Sequence, residues 1–147
     1  MRRLALALFL SLPVAACTQT APVEVKDIWA RDTVGGTANA AVFMTISSPT
    51  ADRLVSAWSP VAKKIDLMTM QGGNGAMAMT YVNGIDIPAN RPVSLNPAGL
   101  HVWLADLKQP LEAGHSFPLT LRFEKAGERQ ITVSVIKPAA APPMSGM

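Results

Sequence analysis

Cysteine is almost absent: Cys17 is the only one in 147 residues. No internal disulfide can form, and no set of thiolates is available for a zinc or iron–sulfur site. Histidine is nearly as scarce, with only His101 and His115. No Ser/His/Asp order, paired carboxylates or Gly-rich phosphate loop stands out, so the chain does not read as an enzyme. Aromatic residues make up 5% and charged residues 16% of the sequence, with a formal net charge of +3. Two of the positive charges, Arg2 and Arg3, sit at the extreme N-terminus, and without them the balance is about +1. No basic stripe suited to nucleic acid remains. The longest apolar run, Leu4 to Leu12, is too short to span a bilayer. What is present is a high apolar fraction of 49% with 12 Pro and 10 Gly, the composition of one globular domain.

That apolar run belongs to an address. Two arginines, the run itself and the small residues before Cys17 have the layout of a secretory leader. Val14-Ala15-Ala16-Cys17 resembles a lipobox, which implies cleavage before Cys17 and lipidation of its sulfur. The expected organisation is a lipoprotein signal peptide over 1–16, a lipidated tether over 17–22, a β-sandwich domain over 23–137, and a flexible Pro- and Met-containing tail over 138–147. The expected location is the periplasm, as a membrane-anchored lipoprotein; Thr18, where an Asp is absent, favours the outer membrane by resemblance to enterobacterial sorting.

Between the leader and the tail the sequence alternates. ITVSVI (131–136) and FPLTLRF (117–123) have the period of half-buried strands, joined by a turn at 125–128. VEVKDIWARD, AAVFMTIS, RLVSAW, KKIDLMTM, MAMTYV, PVSLN and LHVWLADL add seven more, each bounded by Gly, Pro, Asn or Asp. Nine short strands and no convincing helix predict an all-β fold, a two-sheet Greek-key sandwich. Trp29 and Trp58 fit core packing with a polar handle.

The methionines carry the chemical signal. Met68, Met70, Met77 and Met79 fall within twelve residues. On strands, Asp66, Met68 and Met70 share one face, Met77, Met79 and Tyr81 share another, and QGGNGA joins the two segments. In LHVWLADL, His101 and Trp103 lie on one face while Leu100, Val102 and Leu104 lie on the other and look like core. Thioethers with an imidazole and no thiolate suit Cu(I). The competing reading is that methionine fills gaps in an apolar core.

The stretches IWARDTVGGTANAAVFMTISSPTADRLVSAWSPVAKKIDLMTM and GIDIPANRPVSLNPAGLHVWLADLKQPLEAGHSFPLTLRFEKAG resemble the PCu(A)C-type periplasmic copper chaperones, from about Val25 to Val135. The resemblance implies a cupredoxin-like sandwich that binds Cu(I) at one end. It also implies delivery of copper to the CuA centre of an apo cytochrome oxidase subunit, or to another copper carrier. The family motif runs His or Met, ten residues, Met, twenty-one residues, His, one residue, Met. Met79 and His101 match its two middle ligands. Met68 supplies the first by spacing, whereas Asp66 stands in its place by local context; Met68 is preferred because a carboxylate is a hard donor. Trp103 replaces the final Met, and its indole N–H cannot ligate in the ordinary way.

The expected metal set is therefore Met68, Met79 and His101, with Trp103 capping the ion through its ring face and Met70, Met77 and Asp66 as further candidates. His115 reads as a solvated turn residue, and Met144 and Met147 in the tail are minor candidates for a secondary copper-collecting site, a role that resemblance to Met-bearing tails of some relatives implies. The alternative function is a non-metal binding or scaffolding lipoprotein whose metal site has degenerated.

Overall fold

The computed structural model describes residues 22–137. The leader, Cys17 and most of the tether, as well as Met144 and Met147, lie outside the described residues. Ten strands and no helix are found among those residues: β1 (Glu24–Arg31), β2 (Ala40–Ser47), β3 (Asp52–Trp58), β4 (Ala62–Gly73), β5 (Ala76–Tyr81), β6 (Ile85–Ile87), β7 (Val93–Leu95), β8 (Leu100–Leu107), β9 (Ser116–Phe123) and β10 (Gly127–Ile136). Nine of these match the alternating segments of the sequence, and β2 and β8 have the same boundaries. The tenth, β6, is three residues long between Gly84 and Pro88, too short for alternation to reveal it.

The strands pair in the order β5-β4-β8-β2-β1-β10-β9-β3-β6, with β7 beside the second half of β2. Only β1 and β10 run parallel; every other pair is antiparallel. The path folds over into a cupredoxin-like sandwich around one apolar cluster. Val42, Met44 and Ile46 of β2, Val102 and Leu104 of β8, Leu119 and Leu121 of β9 and Val133 of β10 are sealed from solvent in it. Full burial of a Leu, Ile or Val contributes about 1.5–3 kcal/mol each.

Two bulges change which residues reach this core. In β1 the register against β2 shifts between Lys26 and Trp29, with Asp27 in the left-handed region at φ 51°. Val23 and Val25 point inward before the shift, and Ile28 and Ala30 after it. Trp29 and Arg31 are thereby turned onto the opposite, outer face. In β3 a second shift falls between Leu54 and Ser56, so that Leu54 and then Ala57 face the core. Trp58 is sent outward and is 57% exposed, which corrects its expected place in the core. Trp29 is buried as expected, but on the outer face and outside the central cluster.

A carboxylate anchors the start of β3. Asp52 accepts backbone N–H bonds from Arg53 at 2.7 Å, Lys125 at 2.9 Å and Ala126 at 2.9 Å. Burial alone pushes its carboxyl up, but these bonds and the Lys125 charge outweigh burial and hold it below its ordinary value. Because the folded value lies below the unfolded one, the stabilisation is complete above about pH 5. It is lost as pH falls through the unfolded and then the folded value. Asp52→Asn is expected to flatten the decline of Tm between about pH 5 and pH 3. Thermal melts of both proteins across that range check this; parallel declines would contradict it.

Candidate metal centre

β4 is longer than the strand it pairs with. Its register with β8 ends at Thr69, opposite Leu100, and Met70–Gly73 continue in the ladder with β5, with Met70 keeping one further backbone bond, to Gly99. The resulting ribbon closes on Asn74–Gly75, both at positive φ (52° and 81°), the Asn-Gly pair that a two-residue hairpin turn of the primed type requires. The ribbon carries its side chains beyond the end of the main sheet.

Antiparallel register then aligns the outer face in rows. One row holds Trp29 and Phe43, paired across β1 and β2, and His101, Met68 and Tyr81, paired across β8, β4 and β5. The rings of Trp29 and Phe43 lie 4.6 Å apart, those of Phe43 and His101 6.3 Å, and those of His101 and Trp103 6.2 Å with an edge-on tilt of 72°. Trp29, Phe43, Met68 and His101 are all buried, yet Trp29, Phe43 and Met68 stand outside the central cluster. They form a second, thin apolar layer that seats the imidazole. The adjoining row holds Ala41, Trp103 and Asp66 in register, and the row at the ribbon's root pairs Met70 with Met79.

His101 is 3% exposed, and its orientation is fixed from behind. The Gly99 carbonyl lies 3.0 Å from His101 Nδ1 and 3.1 Å from the Met70 backbone N–H. A carbonyl only accepts, so Nδ1 carries a proton, and in the neutral ring the lone pair is then on Nε2. The same oxygen ties Met70 of β4 to the start of β8, which fixes Met70 relative to the ring. An imidazole whose second nitrogen donates to a backbone carbonyl has the arrangement found behind metal-bound histidines.

A cavity of about 340 Å³ opens on this face, lined on one wall by Met70, Met79, His101 and Trp103 over Phe43 and Ala41. Of the residues singled out in sequence, Met79, His101, Trp103 and Met70 are brought together there. Met68, Asp66 and Met77 are not in the lining. Met68 is 5% exposed, packed between His101 and Tyr81 in register. Asp66 is engaged elsewhere, its Oδ2 2.9 Å from Lys64 Nζ, and Lys64 also sits 5.2 Å from the centre of the Tyr81 ring. The hydrogen bond and charge of Asp66, with Tyr81 beside it, hold the Lys64 ammonium above its ordinary value. Met77 is 58% exposed, farther out on the ribbon. His115 is exposed in its turn, 3.5 Å from Glu112.

The opposite wall was not legible in sequence. Arg31, Asp32, Thr33, Thr37 and Asn39, from the end of β1 and the loop after it, complete the cavity. No signal in the chain links that loop to the methionines; only the placement of β2 between β1 and β8 does so. Among the described residues no three of His, Cys, Asp and Glu gather as they would for a hard cation or zinc. The donors that do gather are neutral and soft.

Residues 23–135 match the model of the LpqE-like family, described as "Putative lipoprotein LpqE-like". The chain is 32% identical over 130 residues to "Putative lipoprotein Lxx21020" of Leifsonia xyli subsp. xyli, an alignment covering 84% of this chain and 77% of the relative. Among solved structures it is similar to the copper-bound PCuAC domain of PmoF2, with a TM-score of 0.65 and 26% identity over 81% of this chain and 96% of that one. It is also similar to Cu(I)-loaded DR1885 of Deinococcus radiodurans, with a TM-score of 0.62 and 30% identity over 86% of this chain and 87% of that one.

Proposed function

The chain belongs to the LpqE-like lipoprotein family and has the PCuAC copper-chaperone fold, and from that premise we propose that it is a periplasmic Cu(I) carrier held to a membrane by lipid on Cys17. Copper is its cargo. The donors are the thioethers of Met70 and Met79 and Nε2 of His101, and the Trp103 indole covers the ion with its ring face. The observation that carries this reading is the convergence of these four side chains on one cavity wall, with the His101 ring held by Gly99. Met68, the first ligand by motif spacing, serves here as the packing beneath the imidazole. Neutral soft donors hold Cu(I) without a formal charge on the protein, so release to a recipient needs no proton transfer at this wall. The recipient is a CuA subunit of a terminal oxidase or another carrier. The domain limits are 23–137, with the leader over 1–16 and the tail over 138–147.

Anaerobic titration of the full chain in detergent with Cu(I), against a chromogenic chelator, tests the reading. One copper per chain, held in competition with the chelator, is expected. Failure to compete would favour the second reading, a scaffolding lipoprotein, for which the departure of Trp103 from the family's final Met speaks.

The cap has its own readout. A desolvated cation–π contact is worth about 2 kcal/mol, so Trp103→Leu is expected to weaken Cu(I) binding by about tenfold or more and to speed its oxidation in air. Unchanged affinity together with an unchanged oxidation rate would remove the cap.

A further inference from the structure

The cavity is far larger than its cargo. A water-sized occupant needs about 15 Å³, and the space measures about 340 Å³. All soft donors stand on one wall. The facing wall carries a cation: Arg31 ends β1 on the outer face, placed there by the Asp27 bulge, in line with Ala41 and Trp103. Two strand spacings, about 10 Å, separate the Arg31 and Trp103 backbones, and between them stands only the methyl of Ala41. Arg31 is in none of the four ion pairs among the described residues. Polar side chains on that wall are engaged with one another or with the backbone: Asn39 Nδ2 donates to Thr37 Oγ1 at 3.3 Å, and Thr33 Oγ1 accepts from the Leu111 N–H at 2.9 Å. The lining charges, Arg31 and Asp32, cancel before loading, so a cuprous ion leaves one positive charge uncompensated.

The geometry points to a fourth, external ligand for the copper, an anionic thiolate of the recipient, received by Arg31. This rests on the copper reading above and names the chemistry of the partner for that same site. The incoming thiol gives its proton to solvent, its sulfur forms a bond to copper, and the guanidinium donates hydrogen bonds to the sulfur or to groups beside it. Copper stays Cu(I) and nothing is oxidised. Transfer is completed when further donors of the recipient replace Met70, Met79 and His101, whose bonds to copper break.

The test uses the full chain in detergent, loaded with Cu(I) under anaerobic conditions and titrated with N-acetylcysteine amide, an uncharged carrier of one thiol. Thiolate-to-copper absorbance in the near ultraviolet is the signal, and copper retention is measured separately by chelator competition. Wild type is expected to bind one thiolate with release of one proton. Arg31→Gln should bind it about tenfold more weakly while still holding copper against the chelator, and Arg31→Lys should recover most of the loss. N-acetylmethionine amide, a neutral thioether, should bind the two proteins alike. Equal thiolate affinity in wild type and Arg31→Gln overturns the role of Arg31, as does an equal loss for the thioether. If wild type retains no copper in the chelator measurement, the copper reading itself fails.

Discussion

His101→Gln abolishes competitive copper binding: the expected loss is at least about 100-fold, since removal of partners one shell farther from a metal already costs about 10–100-fold. The size follows from what the ring contributes. It is the one nitrogen ligand on a wall whose other proposed donors are thioethers, and in the neutral ring its Nε2 lone pair is presented because Nδ1–H is committed to Gly99. Gln is chosen because its amide N–H can take over the bond to that carbonyl, leaving only a hard oxygen for the metal. A buried residue at 3% exposure also affects folding, so a thermal melt accompanies the titration. Loss of about 1 kcal/mol is consistent with one imperfectly replaced hydrogen bond. Wild-type affinity in the variant would show that the imidazole is structural, and the centre would have to be sought elsewhere.

The second large effect separates two methionines that sequence spacing cannot separate. Met70→Leu is expected to weaken Cu(I) binding by about 10–100-fold at nearly constant Tm, while Met68→Leu leaves affinity within about threefold. Leu is close to Met in volume and keeps the apolar surface, so each change removes the sulfur and little else. Met70 lines the cavity with Met79; Met68 lies a row behind, closed in by His101 and Tyr81. The reverse outcome, with Met68 sensitive and Met70 silent, would return the site to the spacing of the family motif. Met79→Leu serves as the positive control, because Met79 is 39% exposed and its loss disturbs no packing.

Much of this arrangement can be read from the chain because strand alternation and turn chemistry are local. AAVFMTIS and LHVWLADL announce both their length and their faces, and Val102 and Leu104 go to the core while His101 and Trp103 go outward. Four features are hidden, each for a physical reason. The β6 strand is shorter than one period of any pattern. Trp58 follows a register shift, which inverts the strand's alternation and turns its indole away from the core that it was expected to join. The choice between Met68 and Met70 depends on where β8 stops pairing with β4, a property of two strands that neither shows alone. The Arg31 wall is non-local in the same sense, since three strands must be laid side by side before it meets the methionines.

The bulge at Asp27 does more than bend a strand. It lets one stretch of eight residues follow two phases, so that β1 feeds the interior with Val25, Ile28 and Ala30 and still lends Trp29 and Arg31 to the opposite surface. Core and centre are thus written on separate faces of the same strands, with the sheet as a partition between them. Changes on the outer face can retune the cargo or the partner without reaching the interior. A single-residue deletion at the bulge would exchange the two faces of the strand's beginning and disturb both at once.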